Sequence, residues 1–452
     1  MSLRQTMGEW FYEISKTINA DYFGIFAFNE PILVIKSPKL LKSIFVKDFA
    51  YFEDRTPVLS SKDELASMAL FLQKNPSWNR ARTKLTPMFS SGKIKLMYPL
   101  MTEIADRMTH YMSEYANGTV EIKEVCAKYS TDVIARCAFA VDAKSFEHDD
   151  AVLRQIGRDF FSPKLDFIVR HIASRFLPTL MEMFNICLIN PQITNTLRDI
   201  FFGVLKQREQ LSTRKENDFV GLLLNLRTIY KDDPSFSYDG MLAQSVQMFM
   251  AGFETVASTI AFLLYEIAIA TNIQDKLREE IMNNTGPSES ITYEAIQQLK
   301  YLDMVVHETL RKYPVLPFLD RRCNKDFPVP GTNLTIKKGT AVYIPLYALH
   351  FDTKYFPNPH KFDPERFRDK GKINTEGLSY IPFGEGPRMC IGNRFGLLNV
   401  KIGVVSILRR FKLSACPETP IPLTFDPKVP TLSSPVGISL KISPLTTNEG
   451  KE

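Results

Sequence analysis

The chain has 452 residues, 44% hydrophobic and 23% charged, which excludes a disordered, collagen-like or disulfide-scaffold protein and leaves room to enclose a sizeable ligand. Its net charge is +6, from 56 basic and 50 acidic residues. The excess is not gathered into Lys/Arg blocks, so no nucleic-acid partner is expected, while an anionic membrane surface or an acidic protein fits it.

Residues 22–28 and 31–35 read as a strand pair about the turn Asn29-Glu30. Ser37-Pro38 opens a short helix towards Asp48. Residues 54–75 show no clean period and read as a long loop. Helical patterns then dominate from Trp78 to Tyr313. Residues 240–270 form an unusually long apolar stretch, roughly 46 Å as a helix, and are expected to cross the interior. No uninterrupted apolar run reaches the roughly 18 residues of a membrane span. A helix over 302–313 stops at Pro314. Beyond it come strand signals at 334–337 and 341–344, a proline-rich meander at 353–364, a glycine-rich loop at 384–392 and an apolar helix to Phe411. Many helices, then strands and loops, then one helix predict a mainly α protein with small β-sheets, in the α+β class.

The six cysteines, Cys126, Cys137, Cys187, Cys323, Cys390 and Cys416, form no C-x-x-C pair. That argues against a zinc site and for reduced thiols. Cys390 stands apart, in Phe383-Gly384-Glu385-Gly386-Pro387-Arg388-Met389-Cys390-Ile391-Gly392. It precedes a helix, whose free N–H groups and dipole favour a thiolate. Gly386 and Gly392 let the backbone turn tightly and approach a flat ligand. Arg388 can neutralise an anionic group on that ligand. Taken alone, such a cysteine is more often a buried structural thiol. The whole F-x-x-G-x-R-x-C-x-G pattern, with five fixed positions, is expected by chance only about 10⁻⁴ times in a chain this long.

This loop resembles the haem-binding signature of the cytochrome P450 family, with no departure at its fixed positions. The resemblance implies that Cys390 is the thiolate ligand of haem iron and that haem b is the cofactor. Other motifs agree. Ala251-Gly252-Phe253-Glu254-Thr255, midway along the long helix, would alone suggest a helix-packing glycine. It resembles the family's A-G-x-E-T dioxygen-binding element, which makes Glu254 and Thr255 catalytic candidates and places Ala251 and Gly252 against the cofactor. The Thr255 hydroxyl can bond back to a carbonyl one turn earlier, and Glu254 can relay protons. Glu308-Thr309-Leu310-Arg311 and Phe362-Asp363-Pro364-Glu365-Arg366-Phe367 resemble the E-x-x-R and P-E-R-F elements. They imply a structural network of Glu308, Arg311 and Arg366. Trp78 and Arg82 match the W-x-x-x-R pair that contacts a haem propionate. Arg321, with Arg322 as its alternative, is expected at the same edge. Phe383, Arg388 and Gly392 complete the cofactor set.

The resemblance runs from about Tyr22 to Ser443. It is closest to animal microsomal, insect detoxification-type members, through residues 86–93, Asn185-Ile186-Cys187 and residues 301–306. It implies a catalytic domain over 21–445 with a long central helix over haem, a remnant segment at 1–20 and a tail at 446–452. Microsomal members begin with a membrane anchor and a hinge, and this chain starts beyond both. The implied site of action is the cytosolic face of the endoplasmic reticulum membrane. The stretch 176–181 is a candidate for dipping into that surface. The implied reaction is monooxygenation of a lipophilic small molecule, xenobiotic or endogenous, with dioxygen. Electrons would come from NADPH through a separate NADPH–cytochrome reductase, since no G-x-G-x-x-G fingerprint occurs here. The alternatives are a haem-thiolate isomerase or dehydratase, against which Glu254-Thr255 argues, and a catalytically silent haem-binding protein. An apolar pocket is expected near residues 70–72, Met250, Ala251, Val315, Leu316 and 435–436. Two basic segments lacking acids, 78–95 and 390–410, suggest a docking face on which Lys84 and Lys401 stand out.

Overall fold

The computed structural model describes residues 4–161, 164–211, 217–285, 291–369, 373–374 and 377–445. The expected tail at 446–452 lies outside them. The fold is mainly helical, with three small sheets. One sheet orders Tyr22–Ala27, Glu30–Ile35, Ala341–Ile344 and Leu319–Arg322 side by side. The outer pairs are antiparallel and the middle pair parallel, so strands from both ends of the chain meet there. A second sheet joins Thr119–Glu121, Ser439–Pro444 and Phe411–Ala415. The strand Thr335–Ile336 pairs with Phe327–Pro328, not with Ala341–Ile344.

The predicted long helix is Tyr238–Ile269, 32 residues capped by Ser237, whose hydroxyl accepts from the Gly240 N–H at 3.0 Å. It is long and apolar enough to span a bilayer, but 83% of its most apolar window is buried inside the body. Around it pack Ile122–Ile134, Asn393–Leu408 and Lys300–Lys312, which contribute to one continuous apolar core. Most of its stability comes from this packing rather than from helix propensity.

One expectation needs correction. Residues 54–75 are not wholly loop, because Glu64–Met68 is a short helix with Leu65 and Ala66 buried. The segment before the first strand packs onto the body. Met7–Thr17 is a helix opened by a capping box, in which Thr6 Oγ1 accepts from the Glu9 N–H and the Glu9 carboxylate accepts from the Thr6 N–H. Its Phe11 is fully buried, edge-on to Phe318 and Tyr343, which ties the helix to the first sheet.

Candidate active site

The cysteine loop is held from within and from outside. The Cys390 N–H donates to the Phe383 carbonyl at 2.9 Å and the Met389 N–H to the Gly386 carbonyl at 3.0 Å. Gly386 sits at φ +72°, and a Cβ there would overlap the Phe45 carbonyl oxygen. Its smallness therefore serves a backbone crossing with Ser43–Lys47 rather than approach to a ligand. Gly392 is the N-cap of Asn393–Leu408, and its N–H bonds the Cys390 sulfur. Cys390 remains accessible although the sulfur lies deep in the body. Burial pushes the thiol up, against the opposing pull of the Gly392 N–H, Arg82 and Arg55. The peptide N–H at the helix start thus favours the thiolate, as expected, while burial opposes it.

Four arginines converge near this sulfur. Arg321 is 1% exposed and lies over the Phe45 ring at 4.7 Å. Arg388 lies over the Trp78 indole at 4.2 Å and donates to the Gln73 carbonyl at 2.7 Å. Arg55 stacks on Phe71 at 3.9 Å, and Arg82 is half-buried. Burial lowers the pKa of Arg55, Arg82, Arg321 and Arg388, the last to about 9; repulsion by Arg55 adds to it at Arg321 and Arg388, whereas Asp320 and the Cys390 sulfur oppose it at Arg55. The paired carboxylates are Asp320, 3.6 Å from Arg55, and Asp54, 3.5 Å from Arg388. Asp320 is partly engaged by the Thr56 N–H and hydroxyl at 2.6 and 2.7 Å. Arg175 also acts on Arg55 and Asp320, and Glu53 on Arg388, so the cluster is a group of buried arginines held by a few carboxylates. The buried Nε atoms of Arg55, Arg321 and Arg388 have no hydrogen-bond partner among the described residues. Such groups call for an acceptor. Arg322 turns elsewhere, to the Gly339 and Thr56 carbonyls, which separates it from Arg321.

Along 240–268 the central helix is buried except at Gln247, Ala251, Gly252 and Thr255. Gln247, Ala251 and Thr255 follow one another at i, i+4 and i+8, a single stripe about 12 Å long. The Thr255 hydroxyl donates to the Ala251 carbonyl at 2.6 Å. Gly252, partly exposed beside this stripe, also meets the neighbouring helix. A Cβ there would stand 2.8 Å from Ile134 Cδ1, so its smallness fits the crossing with Ile122–Ile134. Glu254 is 6% exposed and held at 2.8 Å by both Lys123 Nζ and the Ser258 hydroxyl.

Behind the loop, Arg311 donates to both oxygens of Glu308 and to the His350 and Pro359 carbonyls. The Glu308 carboxylate also accepts from the Asp363 N–H at 2.9 Å. Arg366 Nε lies 3.5 Å from Glu308, and its Nη2 donates to the Asn358 carbonyl. The helix and the meander are therefore joined through one buried carboxylate. Two docking residues need correction. Lys84 is paired with Asp233 and lies over the Tyr230 ring, while Lys401 is 7% exposed and bonded to Asp303 at 2.9 Å.

A helical body with a cysteine loop before a helix, an arginine cluster and a small-residue stripe defines a haem-thiolate protein class. The sequence model of the family Cytochrome P450 matches residues 2–442. The chain is similar to cytochrome P450 6k1 of Blattella germanica, 38% identical over 97% of this chain and 87% of that protein. It is similar to cytochrome P450 6j1 of the same species, 39% identical over 95% and 85%. It also resembles probable cytochrome P450 6a13 of Drosophila melanogaster, 35% identical over 94% and 86%. The chain belongs to the cytochrome P450 family and is a haem-binding monooxygenase of insect detoxification type.

Haem fits the residues present. The buried Nε donors of Arg55, Arg321 and Arg388 lack an acceptor among the described residues and suit the anionic propionates, and the Cys390 sulfur is a soft ligand suited to iron. Arg55 is the residue that no motif flagged. It lies in the aperiodic stretch after Tyr51, and only its long-range pairing with Asp320 marks it.

Proposed function

We infer that this monooxygenase oxidises lipophilic small molecules, xenobiotic or endogenous, at the endoplasmic reticulum membrane, with electrons from NADPH delivered by a separate reductase. In this reading Cys390 ligates the iron within a loop shaped by Phe383 and Gly392. Arg55, Arg82, Arg321 and Arg388 hold the propionates, with Trp78 propping Arg388. Haem bound through a cysteine thiolate supplies an electron-rich iron that favours O–O cleavage. Ala251 gives small-residue clearance beside the cofactor. The Thr255 hydroxyl and the Glu254 carboxylate hold and move protons. Glu308, Arg311 and Arg366 brace the meander. One oxygen atom enters the substrate and the other leaves as water, with two electrons and two protons consumed.

The observation that carries this reading is the cluster of buried Arg55, Arg321 and Arg388, whose Nε donors have no partner among the described residues, beside the Cys390 loop. Phe71, Leu316 and Val436 supply accessible apolar surface for a lipophilic substrate, whereas Leu70, Met250 and Val315 are buried. Membrane contact is supported by exposed Phe26, Phe28, Leu180, Met183 and Phe184. Phe28 touches Phe176 at 5.7 Å between ring centroids, which joins the first hairpin to the end of Leu165–Phe176. Within 176–181 itself Met181 is core, at 1% exposure.

The test is turnover of a lipophilic panel with NADPH, reductase and ¹⁸O-labelled dioxygen. One labelled atom per product, with label also in water, is expected. Product without label would favour an isomerase, and no product with any substrate would favour a silent haem protein.

A further inference from the structure

On the flank of the central helix that carries Phe253 and Glu254, a second cleft of about 200 Å³ opens. Its other walls are Ile122–Ile134, through Lys123, the helix Val152–Phe160, through Arg154 and Arg158, then Phe161, and the segment 429–433. None of these residues belongs to the haem reading except Glu254.

The charges around the cleft do not balance. Glu124 bridges Arg154, at 3.1 and 2.6 Å, and Arg158, at 2.6 Å. Lys123 is occupied by Glu254 and Ser258. Arg158 also donates to the Asp149 carbonyl at 3.3 Å, and the Asp149 carboxylate is taken by Lys128. The three lining cations Lys123, Arg154 and Arg158 therefore share two bonded carboxylates. Arg154 is 5% exposed, and its Nη1 has no hydrogen-bond partner among the described residues. A buried guanidinium donor without an acceptor is costly, and an oxyanion is the natural complement. Arg158 is 43% exposed and beside it, so a second donor can reach the same ligand. The remaining wall is aromatic. Arg154 lies over the Phe253 ring at 5.3 Å, and Phe161 stands 5.9 Å from Phe253. The cleft is smaller than the roughly 300–1,000 Å³ of drug-sized pockets, so its guest is about one ring in size.

We propose that this cleft binds a small amphiphilic carboxylate, an aryl or short-chain acid, with its head on Arg154 and Arg158 and its apolar body on Phe161 and Phe253. The site is separate from the haem and goes beyond the proposed function. An acid seated here lies against the Lys123–Glu254 pair and competes for Lys123.

The experiment titrates benzoate into the haem-loaded protein by calorimetry, with benzyl alcohol and inorganic phosphate as comparisons. The Soret band is recorded alongside to separate binding next to the iron. Saturable one-to-one binding of benzoate is expected, about tenfold tighter than benzyl alcohol and weakened about tenfold or more by Arg158→Gln. The Soret band should stay still. Arg154→Gln should do the same. If that buried change prevents folding, the half-exposed Arg158→Gln decides alone. Absence of benzoate binding, equal affinity for the alcohol, phosphate binding as tightly as benzoate, an unaffected Arg158→Gln variant, or a Soret shift that tracks the heat would each overturn the proposal.

Discussion

Arg311 clasps both oxygens of Glu308, Nε at 2.7 Å and Nη2 at 2.8 Å, and neither side chain has any exposed surface. Burial raises the Glu308 pKa despite the guanidinium beside it, so desolvation outweighs the attraction. The pair positions the meander more than it stabilises the fold. Breaking it is another matter, because the surviving charge stays buried.

Arg311→Ala should therefore destabilise the protein by about 3–5 kcal/mol and yield little haem-loaded material. Arg366→Ala removes a partly accessible cation whose Nε makes only a 3.5 Å contact. It should cost no more than about 1 kcal/mol. Chemical denaturation and haem content of the two variants check the ranking, and equal losses would contradict it.

Cys390→Ala should abolish the red-shifted absorption of the reduced, carbon monoxide-bound protein. The other five cysteines stand outside this loop, and Cys126 and Cys137 are buried with their thiols pushed up. Replacing any of the five by alanine should leave the thiolate spectrum in place. A Cys390→Ala protein that kept it would remove the assignment of the ligand.

Neighbouring arginines make a sharper test of the propionate set. Arg321 is buried among Arg55 and Arg388, while Arg322 serves two backbone carbonyls. Arg321→Ala and Arg55→Ala should each speed haem transfer to an excess acceptor protein by about ten- to a hundredfold, as expected for losing one charge-assisted hydrogen bond of about 1.5–3 kcal/mol. Arg322→Ala should leave the rate unchanged. A reversed order would move the propionates elsewhere.

The contrast between these residues shows what the sequence can reveal. The cysteine loop, the 32-residue helix and the Glu308–Arg311 pair are local patterns, and local patterns are legible. Ala251 and Thr255 share a face by simple helical spacing. Arg55 is illegible because nothing periodic surrounds it, and its meaning comes from Asp320, a residue distant in the chain. Lys401 misleads for the opposite reason. It reads as a surface lysine on a basic segment, yet Asp303 draws it into the body. Gly252 beside Ala251 reads as part of the stripe, and only the fold adds Ile134 against it.

Lys84 and Lys401 are committed to Asp233 and Asp303, so reversing them would break internal pairs. Arg80 and Arg394 are exposed on the same two segments. Arg80→Glu combined with Arg394→Glu should slow reduction by the reductase at low salt. The defect should fade as ionic strength rises, because rim charges act on association and are screened over about 8 Å at physiological salt. Peroxide-driven turnover should be unaffected. Stopped-flow rates insensitive to charge and salt would remove this face from electron delivery.

In the proposed reading, proton handling rests on two adjacent residues in different surroundings. The Thr255 hydroxyl is accessible but turned back to the Ala251 carbonyl, so its proton is held by the helix and its lone pairs remain open to an incoming donor. Glu254 is buried and tied to Lys123 and Ser258, so it can exchange a proton with the Thr255 side only by loosening that pair. Thr255→Ala keeps the fold and the haem but removes the hydroxyl nearest the stripe. NADPH consumption should continue while hydrogen peroxide replaces product. Glu254→Gln keeps the shape and removes the carboxylate, and product formation should fall on the order of 10²-fold, the usual worth of a positioned acid or base. Lys123→Met should act differently. It frees Glu254 from its partner and should change the ratio of product to peroxide without lowering haem content, which a purely structural ion pair would not do. Coupling ratios measured from NADPH, peroxide and product in the three variants distinguish these outcomes, and wild-type coupling in Thr255→Ala would take the hydroxyl out of the proton path.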